Sequence, residues 1–420
     1  MKSNYKKLGQ FIEVVNIRNT DLAVEKLLGV SIRKVLMPSI ANTIGTNMKT
    51  YKIIKRNQFA YGPVTSRNGD KISIALLEDY DDAIISQAYV VFEIIDKTQL
   101  LPEYAMMWFR RPEFDRYARF KSHGSARETF DWDELCETEL PIPSIEKQRE
   151  IVAEYNTITN RIALNDQLNQ KLEETAQALY KHWFVDFEFP NGDGQPYKSS
   201  GGEMVYNEEL DIEIPEGWEV ENIESICEII DGDRGKNYPS QQHFSDNGYC
   251  LFLNAGNVSK IGFDFSSTSF ISKDRDELLR KGKLERNDTI VTTRGTVGNV
   301  AFYGEQIEFN HLRINSGMVI FRTIIKNNSL FIYSLMRSTE MKKNILNYMS
   351  GSAQPQLPIK DIKRIPILVP NQKLIIMFSN VILSVQNSIE IKNKENRSLF
   401  KLKELVLSKM TKVEVGEEIL

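Results

Sequence analysis

The chain has 420 residues, of which 41% are hydrophobic, and this is enough apolar material for two ordinary cores. No apolar run approaches membrane-spanning length, and the first ten residues, MKSNYKKLGQ, lack the apolar centre of a signal peptide, so we expect a soluble, cytoplasmic protein without a membrane partner. The three cysteines, Cys136, Cys227 and Cys250, form no CxxC pair, which fits a reducing compartment and argues against a disulfide framework or a zinc ribbon.

The formal net charge of −4 conceals an uneven distribution. Residues 1–127 contain 20 Lys and Arg against 13 Asp and Glu, and residues 231–364 contain 19 against 13. Residues 203–228 contain ten acidic groups and no basic one. Because binding to a nucleic-acid backbone needs Lys and Arg against the phosphates, the two basic tracts favour DNA-facing surfaces. A solvated surface of mixed charge is the alternative.

The first half of the chain is predicted to begin with strands. The stretches YKIIKRNQFAY (51–61) and AIISQAYVVFEI (83–94) are rich in β-branched and aromatic residues. PEYAMMWFRRPEFDRYARF (102–120) then has the pattern of an amphipathic helix. A Gly-Ser-Ala phrase at 124–126 follows, and the half ends on a proline-containing exit and a run without Pro or Gly from Glu146 to His182.

The second half repeats this order of parts. DTIVTTRGTVGNVAFYG (288–304) and INSGMVIFRT (314–323) are predicted strands, and NSLFIYSLMRSTEMKKNILNYM (328–349) is a predicted helix. The Gly-Ser-Ala phrase returns at 351–353, followed by a proline-rich exit and a second helical run from about Lys373 to Met410. Identity between the halves is low, but the order is kept, so the sequence indicates two diverged copies of one α/β unit.

The two helical runs are each predicted to form a rod of about 55 Å with an apolar stripe. The stripes consist of Ile151, Tyr155, Ile158, Ile162, Leu168, Leu172, Ala176 and Leu179 in the first rod, and of Leu374, Phe378, Val381, Val385, Ile389, Leu399, Leu402 and Val406 in the second. Each stripe could pack on a neighbouring domain. We favour packing of the rods on each other, antiparallel, because the chain offers one rod per repeat.

Polar residues interrupt both stripes midway, Asn165 in the first rod and Lys392 in the second. Such residues can set the register of a helix pair at some cost in stability. Simple imperfection of the amphipathic pattern is an equally good interpretation.

Two polar loops carry the residue types that read base edges, where Arg pairs with guanine and Asn or Gln with adenine. TSRNGDK (65–71) and TTRGT (292–296) supply them, and the two Gly-Ser-Ala phrases add one residue each at the same relative position. The candidate DNA-binding residues are Ser66, Arg67, Asn68, Lys71, Arg127, Thr292, Thr293, Arg294, Thr296 and Gln354. The alternatives are a hairpin turn at Asn68-Gly69 and local capping by Arg127 and Gln354.

In this order and spacing, six stretches resemble the specificity subunit of type I restriction-modification systems. They are GVSIRKVLMPS, KTYKIIKRNQFAYGPVTSRNGDKISIAL, LPIPSIEKQREI, ALYKHWFVDFEFPNGDGQPYKSSGGEM, IPEGWE and NDTIVTTRGTVGNVAF. The resemblance covers nearly the whole chain. One departure is the second exit, which reads VPNQK where the first reads PSIEKQ.

The resemblance implies an α/β (α+β) fold in which two globular target recognition domains are separated by two long antiparallel coiled-coil helices, with a pseudo-two-fold repeat. We expect target recognition domain 1 at residues 1–145 and domain 2 at 216–370. The remaining segments are expected as helical spacers at 146–190 and 371–412, a linker at 191–215 and a C-terminal tail at 413–420.

The function implied is recognition of an asymmetric bipartite sequence in double-stranded DNA, without catalysis by this chain. The sequence agrees with a non-catalytic role, because it contains no GxxxxGK[ST] phosphate loop, no Gly-rich cofactor loop and no Asn-Pro-Pro-Tyr motif; NYPS (237–240) lacks the second proline. The four histidines form no metal-binding pattern. An independent two-headed DNA-binding regulator and an enzyme with an unrecognised active site are the alternatives.

The resemblance also implies partners. They are two methyltransferase (modification) subunits and two motor-endonuclease (restriction) subunits, whose adenine methylation and restriction this chain would direct. No cofactor or metal is expected in this chain, and S-adenosylmethionine, ATP and Mg are expected in the partner subunits. The rods and the acidic segment after residue 203 are candidate docking surfaces.

Overall fold

The structure is a computed structural model that describes residues 4–39, 45–66, 68–69, 71–124, 127–325, 327–351 and 355–411. It divides into two compact units. Unit 1 contains Met1–Ile162 and Arg397–Leu420, and unit 2 contains Ala163–Asn396. Each unit therefore consists of one body of mixed helix and sheet together with a stretch of each of the two long helices.

The body of unit 1 is built on a four-stranded antiparallel sheet of order β2-β9-β6-β7, in which Phe59 lies opposite both Phe92 and Leu76. The described strands of this unit are β1 (Tyr5–Lys7), β2 (Ile12–Val15), β3 (Leu28–Val30), β4 (Leu36–Pro38), β5 (Lys52–Lys55), β6 (Phe59–Gly62), β7 (Ser73–Leu76), β8 (Asp82–Ile85), β9 (Val90–Ile94) and β10 (Glu139–Pro141). Each stretch predicted as one strand contains two. Between β5 and β6 the backbone of Asn57 has a φ of +67°, a turn conformation that ends the first strand.

The helical stretch predicted at 102–120 forms two helices, α1 (Pro102–Phe109) and α2 (Pro112–Lys121). Pro112 explains the division, because a proline cannot continue a helix but fits its first turn. A short helix, α3 (Trp132–Cys136), follows the Gly-Ser-Ala loop. The α1 helix is buried along most of its length and packs with the sheet residues Phe59 and Phe92 in one core cluster.

The body of unit 2 begins, after the long helix, with a hairpin and then repeats the sheet of unit 1. Its central sheet is antiparallel with the order β14-β22-β19-β20, which matches β2-β9-β6-β7 strand by strand. The described strands are β11 (Met204–Asn207), β12 (Ile212–Pro215), β13 (Glu219–Asn222), β14 (Cys227–Asp231), β15 (Cys250–Leu253), β16 (Val258–Ser259), β17 (Gly262–Phe263), β18 (Phe270–Ile271), β19 (Thr289–Thr292), β20 (Val300–Phe302), β21 (Leu312–Ile314), β22 (Met318–Thr323) and β23 (Pro366–Val369).

The helices of unit 2 confirm that the repeat is structural. After the long helix α4 (Ile145–Phe184), the chain forms α5 (Lys273–Leu278), α6 (Ser329–Arg337), α7 (Thr339–Tyr348), α8 (Ile359–Ile362) and the long helix α9 (Gln372–Lys409). The helix pairs α1 and α6, α2 and α7, and α4 and α9 each begin 227 positions apart, which is also the separation of the two Gly-Ser-Ala phrases. The stretch from the start of α1 to the start of α4 therefore has the same length as the stretch from the start of α6 to the start of α9.

Both long helices match their predicted bounds within two residues, and within each unit they run antiparallel. In unit 1, Lys409 Nζ lies 3.4 Å from a carboxylate oxygen of Glu154. In unit 2, the rings of Trp183 and Phe378 are 5.7 Å apart, so the end of α4 meets the beginning of α9. The predicted linker at 191–215 is not unstructured, because it contains the β11–β12 hairpin, and the predicted tail lies outside the described residues.

The polar interruption of the helix pair differs from the prediction. Asn165 is fully buried, and its Nδ2 donates to Oδ1 of Asn396 at 2.9 Å, whereas Lys392 is only half-buried. A second amide pair joins Asn169 and Asn393 at 2.8 Å. Since a buried amide without a partner costs about 1–3 kcal/mol, these bonds favour one alignment of the helices in unit 2.

One helix, α9, is long and apolar enough to cross a membrane by length and composition, with a mean hydropathy of 1.5 over 18 residues. The expectation that no apolar run approaches this length therefore needs correction. Within that window 39% is buried inside the protein, and one such helix is weak evidence for a membrane span, because a helix packed in a protein core passes the same test.

We predict that Asn165→Leu lowers the free energy of unfolding by about 1–3 kcal/mol, because Asn396 Oδ1 then lacks its donor. The double variant Asn165→Leu/Asn396→Leu is expected to regain most of this loss, since both polar groups are gone and Asp166, which also bonds Asn396, is exposed to water. Thermal unfolding of the full chain measures both. Purely additive losses would contradict the pairing.

Candidate nucleic-acid interface

In unit 1, two loops of the sequence are joined at one edge of the central sheet. The loop after β6 pairs with the loop after α2, because Thr65 N donates to Glu128 O at 3.0 Å and Phe130 N donates to Pro63 O at 2.9 Å. The second loop is itself closed, since His123 and Thr129 exchange two backbone hydrogen bonds of 3.0 and 2.9 Å. Gly124 and Arg127 thus lie in a short loop beside the loop that carries Ser66, Asn68 and Lys71.

Unit 2 builds the same arrangement from different residues. Leu357 N donates to Thr293 O at 3.0 Å, and Ser350 and Gln356 exchange two backbone hydrogen bonds of 2.9 Å each. Isolated bridges join Arg294 to Gln356 here and Val64 to Thr129 in unit 1. By this pairing, Arg294 corresponds in the fold to Val64. The sequence alone paired TTRGT with TSRNGDK by chemistry and could not give this alignment.

The glycine of each phrase has a left-handed backbone. The φ of Gly124 is +129° and that of Gly351 is +88°. A Cβ at Gly124 would collide with the carbonyl oxygen of Arg127. Because L-residues rarely adopt such φ values, glycine is required where each loop turns back to form its closing backbone pair, His123 with Thr129 or Ser350 with Gln356. The repeated glycine therefore has a structural cause in both units.

The candidate residues of unit 1 differ in their availability. Ser66, Lys71 and Arg127 are exposed. Asn68 is half-buried, and its Nδ2 donates to Val64 O at 3.0 Å and to Ser73 Oγ at 3.1 Å, so this amide holds the loop together. Arg67 lies outside the described residues.

In unit 2 the tip of the β19–β20 loop is exposed and its base is buried. Arg294 and Thr296 are exposed, whereas the exposed fractions of Thr292 and Thr293 are 0% and 5%. Thr292 Oγ1 accepts a hydrogen bond from Asn299 N at 3.0 Å. The two buried threonines therefore support the loop, and their side chains cannot reach a base edge in this conformation.

The turn at Asn315–Gly317 fixes the backbone of Arg294. Gly317 O accepts hydrogen bonds from the backbone nitrogens of Thr293 (2.8 Å) and Arg294 (3.2 Å). Asn315 Oδ1 in turn accepts from Gly317 N at 2.9 Å. Gln354 occupies the position in the second repeat that Arg127 occupies in the first, and it lies outside the described residues.

Sequence reasoning missed a second basic loop at this edge of unit 2. Arg234 follows β14, is exposed, and donates to Ser316 O at 3.3 Å, beside the turn that holds Arg294. Asp233 fixes this loop: burial would raise the pKa of its carboxyl, but hydrogen bonds from the backbone of Gly235 and Arg280 hold the pKa below its usual value. The available signal was the DGDRGK stretch (231–236), in which two basic residues lie among glycines.

The arrangement presents exposed guanidinium and ammonium groups on loops that main-chain hydrogen bonds hold in place. The side chains of Lys71, Arg127 and Arg294 form no hydrogen bond or ion pair with any other residue that the structure describes. No group of three or more metal-ligating side chains occurs within the described ranges. Exposed guanidinium and ammonium groups of this kind can donate hydrogen bonds to phosphates and to base edges.

A family model, curated relatives and a solved structure that are similar to this chain all belong to the same kind of protein. The family model described as "Type I restriction modification DNA specificity domain" matches residues 2–174 and again residues 215–416. The MjaIX specificity subunit of Methanocaldococcus jannaschii is 28% identical over 320 residues, covering 76% of this chain and 70% of its own. The HindI specificity subunit of Haemophilus influenzae is 22% identical, covering 91% and 92%. In fold, the chain resembles the crystal structure of the S subunit from M. genitalium, with a TM-score of 0.53 at 13% identity, covering 97% and 95%.

We predict that Gly124→Ala destabilises unit 1 by about 1–3 kcal/mol, because the new methyl group requires an unfavourable φ and meets Arg127 O. The matched control is Gly29→Ala, where a Cβ would meet nothing within 4 Å. Thermal unfolding of the two variants compares them. Equal stability of both would show that the positive φ of Gly124 carries no cost.

Proposed function

The chain belongs to the type I restriction modification DNA specificity family, and from this premise we propose that each of its two units reads one half of a bipartite DNA target. The observation that carries the proposal is the repeated interface. The same two loops meet at the same sheet edge in both units, but they present different side chains. A common scaffold with different reading residues is what recognition of two different half-targets requires.

Within this proposal, Arg294 reads a base edge in the major groove, because it is exposed at the tip of a hairpin with a fixed backbone. Thr296 lies beside it. Ser66, Arg67, Lys71 and Arg127 contact DNA in the first unit, and Gln354 in the second. Asn68, Thr292 and Thr293 support the loops. Because Val64 stands where unit 2 has Arg294, the two half-targets differ and the whole target is asymmetric.

As a specificity subunit, the chain acts with methyltransferase and restriction subunits. We propose two of each, with S-adenosylmethionine, ATP and Mg bound in those partners. One docking surface is a groove of about 520 Å³ on the helix pair of unit 1, whose lining includes Glu154, Ile158, Leu402 and Leu405. Leu402 and Leu405 are about half exposed, which leaves apolar area for a partner. The acidic hairpin β11–β12 is a second surface.

The proposed recognition domains are 1–145 and 216–370, with helical spacers at 146–190 and 371–412. With two heads on one side of a duplex, the half-targets lie near one helical turn apart, about 10 base pairs centre to centre. The bases between them are not read.

We predict that Arg294→Ala costs about 1–3 kcal/mol of binding free energy and relaxes the preference at one base pair of the target. The target is first identified by methylome sequencing of cells that carry this chain and its methyltransferase. Binding of the purified methyltransferase complex to duplexes altered at single positions then measures the effect.

The matched control for this experiment is Lys342→Ala, which removes one positive charge from an exposed position of α7. It is expected to change affinity little and uniformly. Unchanged affinity and unchanged specificity in Arg294→Ala would reject the assignment of this residue.

A second prediction concerns the gap between the half-targets. Four residues inserted into α4 after Ile162 lengthen the helix by about 6 Å and are expected to change the tolerated gap by one or two base pairs. Methylome sequencing reads the gap directly. An insertion of two residues is the control, because it turns the apolar stripe by about half a turn and should impair packing instead. A continuous methylation motif would refute two-headed reading.

A further inference from the structure

The β3–β4 hairpin of unit 1 has an exposed, basic tip. Ile32 is 45% exposed, and Arg33 is exposed beside it. The turn is closed by backbone hydrogen bonds from Ser31 N to Val35 O (3.0 Å) and from Lys34 N to Ser31 O (2.8 Å). Ser31 Oγ also accepts from Arg33 N at 3.1 Å.

The residue after Arg33 is directed inwards. Lys34 has a φ of +61° and is only 4% exposed. Its ammonium donates to the carbonyl oxygen of Phe109, at the end of α1, and lies 2.7 Å from Oδ1 of Asp115, on α2. A buried lysine with an unfavourable backbone conformation needs such partners, because an unpaired charge in this position would be strongly destabilising.

The same carboxylate oxygen also holds the loop after β6. Ile72 N donates to Asp115 Oδ1 at 3.1 Å, and Ile72 is the buried end of the loop that carries Ser66 and Lys71. Burial lowers the pKa of Lys34, while the hydrogen bond and the charge of Asp115 act to raise it. Asp115 therefore connects the hairpin tip, the loop after β6 and helix α2, which leads into the Gly-Ser-Ala loop.

We propose that the tip at Ile32–Arg33 is a third DNA-contacting element of unit 1 and that Asp115 is the positioning residue that aligns it, through Lys34, with the loop after β6. The inference rests on the proposed function and extends it to a residue with no predicted role. The link belongs to unit 1 only, because position 342, which corresponds to Asp115 at the separation of 227, is an exposed lysine. The two units therefore align their loops by different means.

The test begins with Arg33→Ala in the full chain purified with its methyltransferase. On the duplex identified by methylome sequencing, affinity is expected to fall about tenfold. Relaxed preference at one base pair of the half-target read by unit 1 would identify a base contact. A uniform loss with a salt dependence reduced by about one phosphate would identify a backbone contact. Arg149→Ala, an exposed arginine on α4, is the matched control.

The positioning role is tested with the paired variant Lys34→Met/Asp115→Leu, which replaces the buried ion pair by apolar side chains of similar size and so preserves the fold better than removal of one charge. In this background Arg33→Ala is expected to cost less than about twofold, because the tip is no longer aligned. Discrimination in the other half-target stays unchanged, which a general loss of stability would not produce. Thermal unfolding of each variant is measured alongside.

The outcomes are separable. If Arg33→Ala binds DNA like Arg149→Ala while Arg294→Ala relaxes its base pair, the third element is refuted and the proposed function stands. If Arg33→Ala costs the same tenfold with and without the Lys34–Asp115 pair, Asp115 does not position the tip and that part is overturned. If Arg294→Ala is also silent, the proposed reading itself fails.

Discussion

The structure depends on the burial of the two ends of each long helix. In unit 1, Ile151 and Tyr155 from the beginning of α4 and Leu407 and Met410 from the end of α9 belong to the core of the body. In unit 2, the end of α4 and the beginning of α9 fill the corresponding positions, with Tyr180, Trp183 and Phe378 among others. Because Leu407 and Met410 correspond to Tyr180 and Trp183 at the separation of 227, one packing solution serves both repeats. Neither body has a complete core without both helices, and this requirement fixes each body on them.

Because each body is fixed on the two helices, the edge of its central sheet is held in place, and this edge carries the loops proposed to recognise DNA. The loops at that edge are held by backbone hydrogen bonds, from Thr65 to Glu128 in unit 1 and from Leu357 to Thr293 in unit 2, and such bonds do not depend on side-chain identity. The exposed side chains can therefore change without loss of the scaffold, as the exchange of Val64 for Arg294 between the units illustrates. Residues that only support the loops, such as Thr292 and Asn68, are buried or bonded locally.

Buried polar groups specify the alignment of elements that apolar packing alone leaves open. The amide pair of Asn165 and Asn396 does this in the helix pair of unit 2, and Asp115 does it for the loops of unit 1. Each such group costs free energy to bury, so an arrangement that keeps its hydrogen bonds is favoured over one that breaks them. Apolar contacts supply the stability of the fold, and these few polar contacts restrict it to one geometry.

The sequence by itself determined the repeat, the two long helices to within two residues of their ends, and the loops that carry Lys71, Arg127 and Arg294, because helical periodicity, glycine position and residue order are local properties of a chain. It did not determine the pairing of Asn165 with Asn396 in place of Lys392, the burial of Thr292 and Thr293, the hydrogen bond from Arg234 to Ser316, or the link from Lys34 through Asp115 to Ile72. These were decided by the tertiary structure, because they depend on which distant strands and helices meet, and no local pattern encodes a contact between residues that are far apart in the chain.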